Sequence, residues 1–257
     1  MVSKNQSQYI RSLHQKKFRQ QHGAFLVEGA NNLREVLAAE WPIDLLTVTE
    51  SFYKENTSLL DNQRVPVEIV TPADLDRIGT LETNNAGLAV VKTRPNLPLS
   101  AEIDELALAL DDIRDPGNLG TIIRIADWYG VSKVICSQTT ADVYNSKVIS
   151  ATKGSFTRVK LFYTDLSEFF EQVTSGEPVT VYGAFLGGEN VHTLDFRKNG
   201  AQTAGSYLVM GNEAKGIGAG VEKFVTQKLT IPRFGGAESL NVGIATAIIL
   251  DNWRRKE

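Results

Sequence analysis

From Leu106 to the C-terminus, short apolar runs alternate with amphipathic segments, and this rhythm constrains the fold more than any other feature. "LALAL" (106–110), "KVICS" (133–137), "VKLFY" (159–163), "TVYGAF" (180–185), "SYLVMG" (206–211) and "KLTIP" (228–232) each read as a buried strand. Helical patterns lie between or after them: from the turn past 110 to about Tyr129, at 146–153, at 166–173, and from about Asn241 to Trp253. Apolar strands joined by helices call for a parallel sheet covered on both faces. The expected class is α/β.

Upstream the pattern is looser. A basic helix is expected from Gln8 to about His22, then strands at 25–29, 44–50, 65–70 and 87–93. Helical spacing of Leu33, Val36 and Leu37 falls between the first two, and Thr71 with Pro72 opens a short helix before the last. "RPNLPLS" places two prolines among polar residues and reads as a linker. The expected division is a small α/β domain at 1–95, a linker at 96–104 and a larger α/β domain at 105–257. A chain of 257 residues can bury a core in each.

The formal charge of −3 excludes a protein that is basic all over, but it hides a local patch. Residues 1–22 carry Lys4, Arg11, Lys16, Lys17 and Arg19 with no acidic residue. Such a helix is either an RNA-phosphate contact surface or a solvated basic face. Cys136 is the sole cysteine, so no intramolecular disulfide is possible and a reducing compartment fits; a buried, inert thiol is expected. His14, His22 and His192 are scattered, and no metal site is expected. No apolar run reaches bilayer-spanning length, and the polar, basic N-terminus lacks a secretory core; a cytoplasmic location is expected.

Three strand-to-helix turns stand out. In "DPGNLGTIIR" (115–124), Leu119, Ile122, Ile123 and Ala126 form one apolar stripe, and Arg124 lies almost opposite it. Asn118 and Gly120 fall where a helix leaves N–H groups unpaired, able to receive an anion or a polar ligand group. An Asn cap with a surface arginine is the simpler alternative. The spacing matches neither a phosphate-cradling P-loop nor the G-x-G-x-x-G dinucleotide fingerprint. "VMGNEAKGIG" (209–218) breaks a strand at Gly211 into a polar loop. "IPRFGGAESLN" (231–241) ends another in a Gly-Gly turn and opens a helix that is apolar nearly all round, and so is buried in the domain or against a partner chain.

Together these stretches resemble the SpoU (TrmH-like) RNA methyltransferases of the SPOUT superfamily. The first motif is carried by Asn118, Gly120 and Arg124; the second by Gly211, Asn212, Glu213 and Gly216; the third by Ile231, Pro232 and Glu238 to Val242. The N-terminal part, mainly "FLVEG" and the basic helix before it, resembles the L30e-like substrate-binding domain that precedes many of these enzymes. The resemblance implies a C-terminal parallel-sheet SPOUT domain tied in a deep trefoil knot, against the general rule that chains avoid knots. It further implies that S-adenosylmethionine (SAM) is held in the knot, largely by backbone groups. Gly211, Ile231 and Leu240 are the implied contacts, with Val209, Met210, Asn212 and Gly216 nearby.

The implied reaction moves the SAM methyl group to a ribose 2′-hydroxyl in RNA. Arg124 is the implied central catalytic residue, with Asn118, Glu213, Ser239 and Asn241 orienting the reacting groups. A guanidinium is a permanent cation and a poor base, so stabilising alkoxide charge and gripping an RNA phosphate is the expected role. Ribosomal RNA is the expected substrate because a folded domain precedes the motifs. A tRNA enzyme, or a non-catalytic RNA-binding protein of the same fold, are the alternatives. RNA contacts are expected at Arg11, Lys16, Lys17 and Arg19, and the family resemblance implies a homodimer. Arg233 departs from the pattern, standing where relatives often carry an apolar residue.

Overall fold

The computed structural model describes residues 2–176, 178–196 and 205–255. The chain forms two compact units: Met1–Pro95 with Asp142–Thr157, and Asn96–Ala141 with Arg158–Glu257.

The first unit is built on four strands, β1 (Ala24–Glu28), β2 (Ile43–Val48), β3 (Val67–Ile69) and β4 (Gly87–Lys92), in the order β1-β4-β2-β3. β4 runs antiparallel to both neighbours, and β2 and β3 are parallel. Successive side chains of β1 enter opposite cores, as the two-residue strand period requires. Phe25 and Val27 join Leu33, Val36 and Leu37 of α3 (Ala30–Ala38). Ala24 and Leu26 join Ile10 of α1 (Lys4–Ser12) and Leu75 and Ile78 of the helix Pro72–Ile78. A sheet covered on both faces explains why "FLVEG" is apolar without alternation.

The basic N-terminal segment is two helices, α1 and α2 (Lys16–His22), not one. The break leaves the carbonyls of Leu13 and His14 without helical partners, and Arg19 of α2 donates Nη1 to both at 3.0 Å.

Residues 142–157 carry Ile149 and Phe156 into the first unit's core, where Phe156 packs edge-on to Phe25 and tilted against Trp41. Gly154 is required there: its φ is +99°, and a Cβ would collide with the Glu35 side chain. The units therefore do not divide at one boundary. No composition shift marks this segment; its apolar residues need burial, and local sequence does not say which sheet provides it.

The second unit holds six strands: β5 (Leu106–Leu110), β6 (Lys133–Ser137), β7 (Lys160–Thr164), β8 (Thr180–Asn190), β9 (Ser206–Met210) and β10 (Gln227–Thr230). Their order is β10-β8-β9-β5-β6-β7, and every pair is parallel. Ala107, Ala109, Ile135, Tyr207 and Val209 pack on one face with Phe169 and Phe170 of the helix Leu166–Ser175. The helices Pro116–Trp128 and Val242–Arg254, the leading and closing helices of this unit, pack side by side. Gly243 permits this approach, since a Cβ there would lie 3.2 Å from Thr121 Cγ2. β8 is longer than expected because its pairing with β10 is interrupted: Lys228 pairs with Gly183, the next residue with Glu189. Among the described residues, no helix is long and apolar enough to cross a membrane.

Candidate active site

The strand order reverses beside β5, since β6 and β7 lie to one side of it and β9, β8 and β10 to the other. Ligands of open parallel sheets bind in the crevice beyond the carboxyl ends of the strands at such a point. Leu110 pairs with Met210, so β5 and β9 end together and deliver Asp111, Asp112, Gly211 and Asn212 to that crevice.

Asp115 opens the leading helix as its cap, accepting from the Asn118 N–H at 2.8 Å, with Pro116 at the first helical position. This fixes Asn118 in the first turn with its side chain engaged at both ends. Its Nδ2 donates to Glu213 Oε1 at 2.6 Å, and its Oδ1 accepts from Asn241 Nδ2 at 2.8 Å. Asn241 in turn caps the closing helix, its Oδ1 accepting from the N–H groups of Gly243 and Ile244. The three odd turns are thus one hydrogen-bonded set, joining residues 95 and 123 positions apart in the chain.

The loop after β9 is a closed hairpin. Asn212 and Gly216 exchange backbone hydrogen bonds of 3.0 and 2.8 Å, and Asn212 Oδ1 accepts from the N–H groups of Ala214 and Lys215. Gly211 must be glycine, because a Cβ would run into the Gly216 backbone. Two aspartates that the motifs do not include hold this hairpin. Asp111 Oδ2 accepts from the Gly218 N–H at 2.7 Å, and the Asp112 carbonyl accepts from Asn212 Nδ2 at 2.9 Å. Arg114, hydrogen-bonded to Asp112 at 2.7 Å, holds that carboxyl below the usual carboxylate range. The signal was present as "DD" at a parallel strand's end; that β9 is the neighbouring strand was not readable.

Of the expected site residues, Asn118, Glu213 and Asn241 are in direct contact. Arg124 and Ser239 are exposed, and their side chains have no hydrogen-bond partner among the described residues. Gly211, Asn212 and Gly216 share the hairpin, while the Val209 and Met210 side chains are buried. Ile231 is half-buried and Leu240 is exposed, at the two ends of the segment between β10 and the closing helix. Cys136 is buried, and burial pushes its thiol pKa up. Among the described residues, no group of three or more His, Cys, Asp or Glu is placed to hold a metal.

The expected RNA contacts fare unequally. Lys16 and Lys17 are exposed. Arg11 is exposed but donates to the Arg77 carbonyl at 2.7 Å. Arg19 is corrected: it is 4% exposed, ion-paired with Asp142 at 2.7 Å, and spent on the carbonyls at the α1–α2 break. Its guanidinium is therefore not part of the exposed basic face.

Residues 105–251 match the SpoU rRNA Methylase family. The chain belongs to that family. Residues 4–89 match the MRM3-like substrate binding domain. The chain is 29% identical over 251 residues to the 23S rRNA (guanosine(2553)-2′-O)-methyltransferase RlmP of Bacillus subtilis (strain 168), covering 95% of this chain and 94% of that one. A solved structure from Porphyromonas gingivalis, assigned to the TrmH family of RNA methyltransferases, is 34% identical, covers all of both chains and superposes with a TM-score of 0.85. The SpoU methyltransferase AviRb from Streptomyces viridochromogenes, solved in complex with the cofactor AdoMet, is 26% identical over 99% of this chain and 98% of its own, with a TM-score of 0.84.

Proposed function

We propose that this SpoU-family chain methylates a ribose 2′-hydroxyl in ribosomal RNA, using SAM as methyl donor. The observation that carries the reading is the Glu213–Asn118–Asn241 set, which locks three loops together at the sheet's reversal point. Family membership and the AdoMet-bound relative support the cofactor. The residues fit it: the 211–216 hairpin offers open backbone at Gly216, where nothing lies within 4 Å of where a side chain would begin, and Ile231 and Leu240 offer apolar side chains. When bound, SAM supplies an electrophilic methyl group on a sulfonium. Gly211, Asn212, Gly216, Ile231 and Leu240 would hold it, with Val209 and Met210 contributing backbone alone.

Asn118 has both ends of its amide engaged, so its role is to fix the geometry in which donor and acceptor align. Arg124, uncommitted to any described partner, provides a permanent cation for the developing alkoxide and an RNA phosphate. Ser239 stands two residues before Asn241 and orients the hydroxyl. The N-terminal substrate-binding match and the ribosomal relatives favour ribosomal RNA. Lys16, Lys17 and Arg11 remain its phosphate contacts in this reading.

The same reading includes a trefoil knot, a cytoplasmic location and a homodimer. The knot is supported by the path from the edge strand β10 back to Asn118 beyond β5. The dimer is supported by Trp128, 84% exposed, and Ile244, 51% exposed, on the two helices that pack together. Asn118→Ala tests the central set: methyl transfer to ribosomal RNA should fall about a hundredfold, in the range of losing one positioned polar group at an active site. Full transfer by this variant would refute the role.

A further inference from the structure

Phe234 is 95% exposed, within the segment that leads from β10 to Ser239 and Asn241. Its surroundings keep the ring uncovered. Gly235 and Gly236 follow it, and nothing lies within 4 Å of where a side chain would begin at either. Neither glycine is called for by crowding or by a positive φ. Arg233 Nη1 donates to the Ala237 carbonyl at 3.3 Å, closing 233–237 on itself with Phe234 inside the span. This gives the arginine, unusual at that position, a structural task.

The loop is anchored on both sides. Ile231 and Pro232 are half-buried after β10, and Asn241 is fixed by Asn118 and by its capping bonds. Six residues separate Phe234 from Asn241, so its Cα lies at most ~25 Å from that of Asn241 even with the chain fully extended. An exposed aromatic ring on the loop that leads to Ser239 and Asn241 has the right chemistry for an unpaired base. Every base has a π-face, and single-stranded RNA is recognised by splaying bases onto aromatic side chains.

We propose that Phe234 is a stacking platform for an unpaired nucleobase of the substrate RNA, at or beside the target nucleotide. The proposal rests on the RNA-methylating reading. Phe234 is then a positioning residue: it holds the RNA strand and takes no part in bond making.

The test uses the full-length chain and an unmodified large-subunit ribosomal RNA transcript. Wild type, Phe234→Ala and Phe234→Trp are compared for transcript affinity by filter binding, for KM and kcat of methyl transfer, for SAM affinity and for oligomeric state. Phe234→Ala should weaken transcript binding and raise the RNA KM by about tenfold, within the range of losing one stacked base, with kcat, SAM affinity and assembly unchanged. Phe234→Trp should restore wild-type values. Unchanged affinity and KM in Phe234→Ala would overturn the proposal. So would weakening accompanied by lost SAM binding or altered assembly, which places the ring against the cofactor or a second copy. Should wild type transfer no methyl group, the functional reading fails, while the binding comparison still decides the role of Phe234.

Discussion

Arg19 donates to the carbonyls of Leu13 and His14 and to the Asp142 carboxylate, all within the first unit. Its charge looked like part of a basic surface because composition counts charges without saying which way they point. Arg19→Ala removes the group that satisfies two carbonyls and leaves Asp142 without its cation. It should lower stability by about 2–3 kcal/mol, measured by urea unfolding, with RNA affinity of the folded protein unchanged. Unaltered stability with weaker RNA binding would reinstate Arg19 as a contact. Tyr182 presents the reverse case: its hydroxyl is buried with no partner among the described residues, and burial pushes its pKa up to about 12. It remains a neutral, packed ring between Phe196 and Trp253.

The hairpin after β9 concentrates the site's constraints in a few backbone atoms. Gly211→Ala forces a Cβ against the Gly216 backbone and should open the Asn212–Gly216 pairing. Overpacking of this kind costs about 1–3 kcal/mol, so SAM affinity measured by calorimetry should fall about ten- to hundredfold. Wild-type affinity would show that the hairpin does not form part of the cofactor site. Asn118, Glu213 and Asn241 were singled out through the family resemblance, and their side chains are hydrogen-bonded to one another; the glycine at 211 was readable because close backbone approach restricts residue type locally. Asp111 and Asp112 were not, because their partners lie 107 and 100 residues away and depend on β5 and β9 being neighbours. The α1–α2 break was hidden for a similar reason: Arg19 and Asp142 stabilise it from 123 residues apart. Strand positions were readable throughout, whereas the interrupted pairing of β8 with β10 depends on register alone.

For the whole molecule, the first unit's dependence on residues 142–157 sets how the chain can be divided. A fragment beginning at residue 96 strands Tyr144, Ile149 and Phe156, which otherwise pack with Phe25 and Trp41. It should bind the dye ANS strongly and aggregate, as large newly exposed apolar patches do. A monodisperse fragment without dye binding would contradict this division. Ribose methylation of ribosomal RNA is read out by methyl transfer itself. Wild type and Arg124→Ala would be incubated with radiolabelled SAM and unmodified ribosomal RNA or tRNA, and the products digested to nucleosides. Wild type should place label in a 2′-O-methylnucleoside from ribosomal RNA, and Arg124→Ala should place none although that variant still binds SAM. Label on a base, label confined to tRNA, or undiminished transfer by Arg124→Ala would overturn ribose methylation of ribosomal RNA by this site.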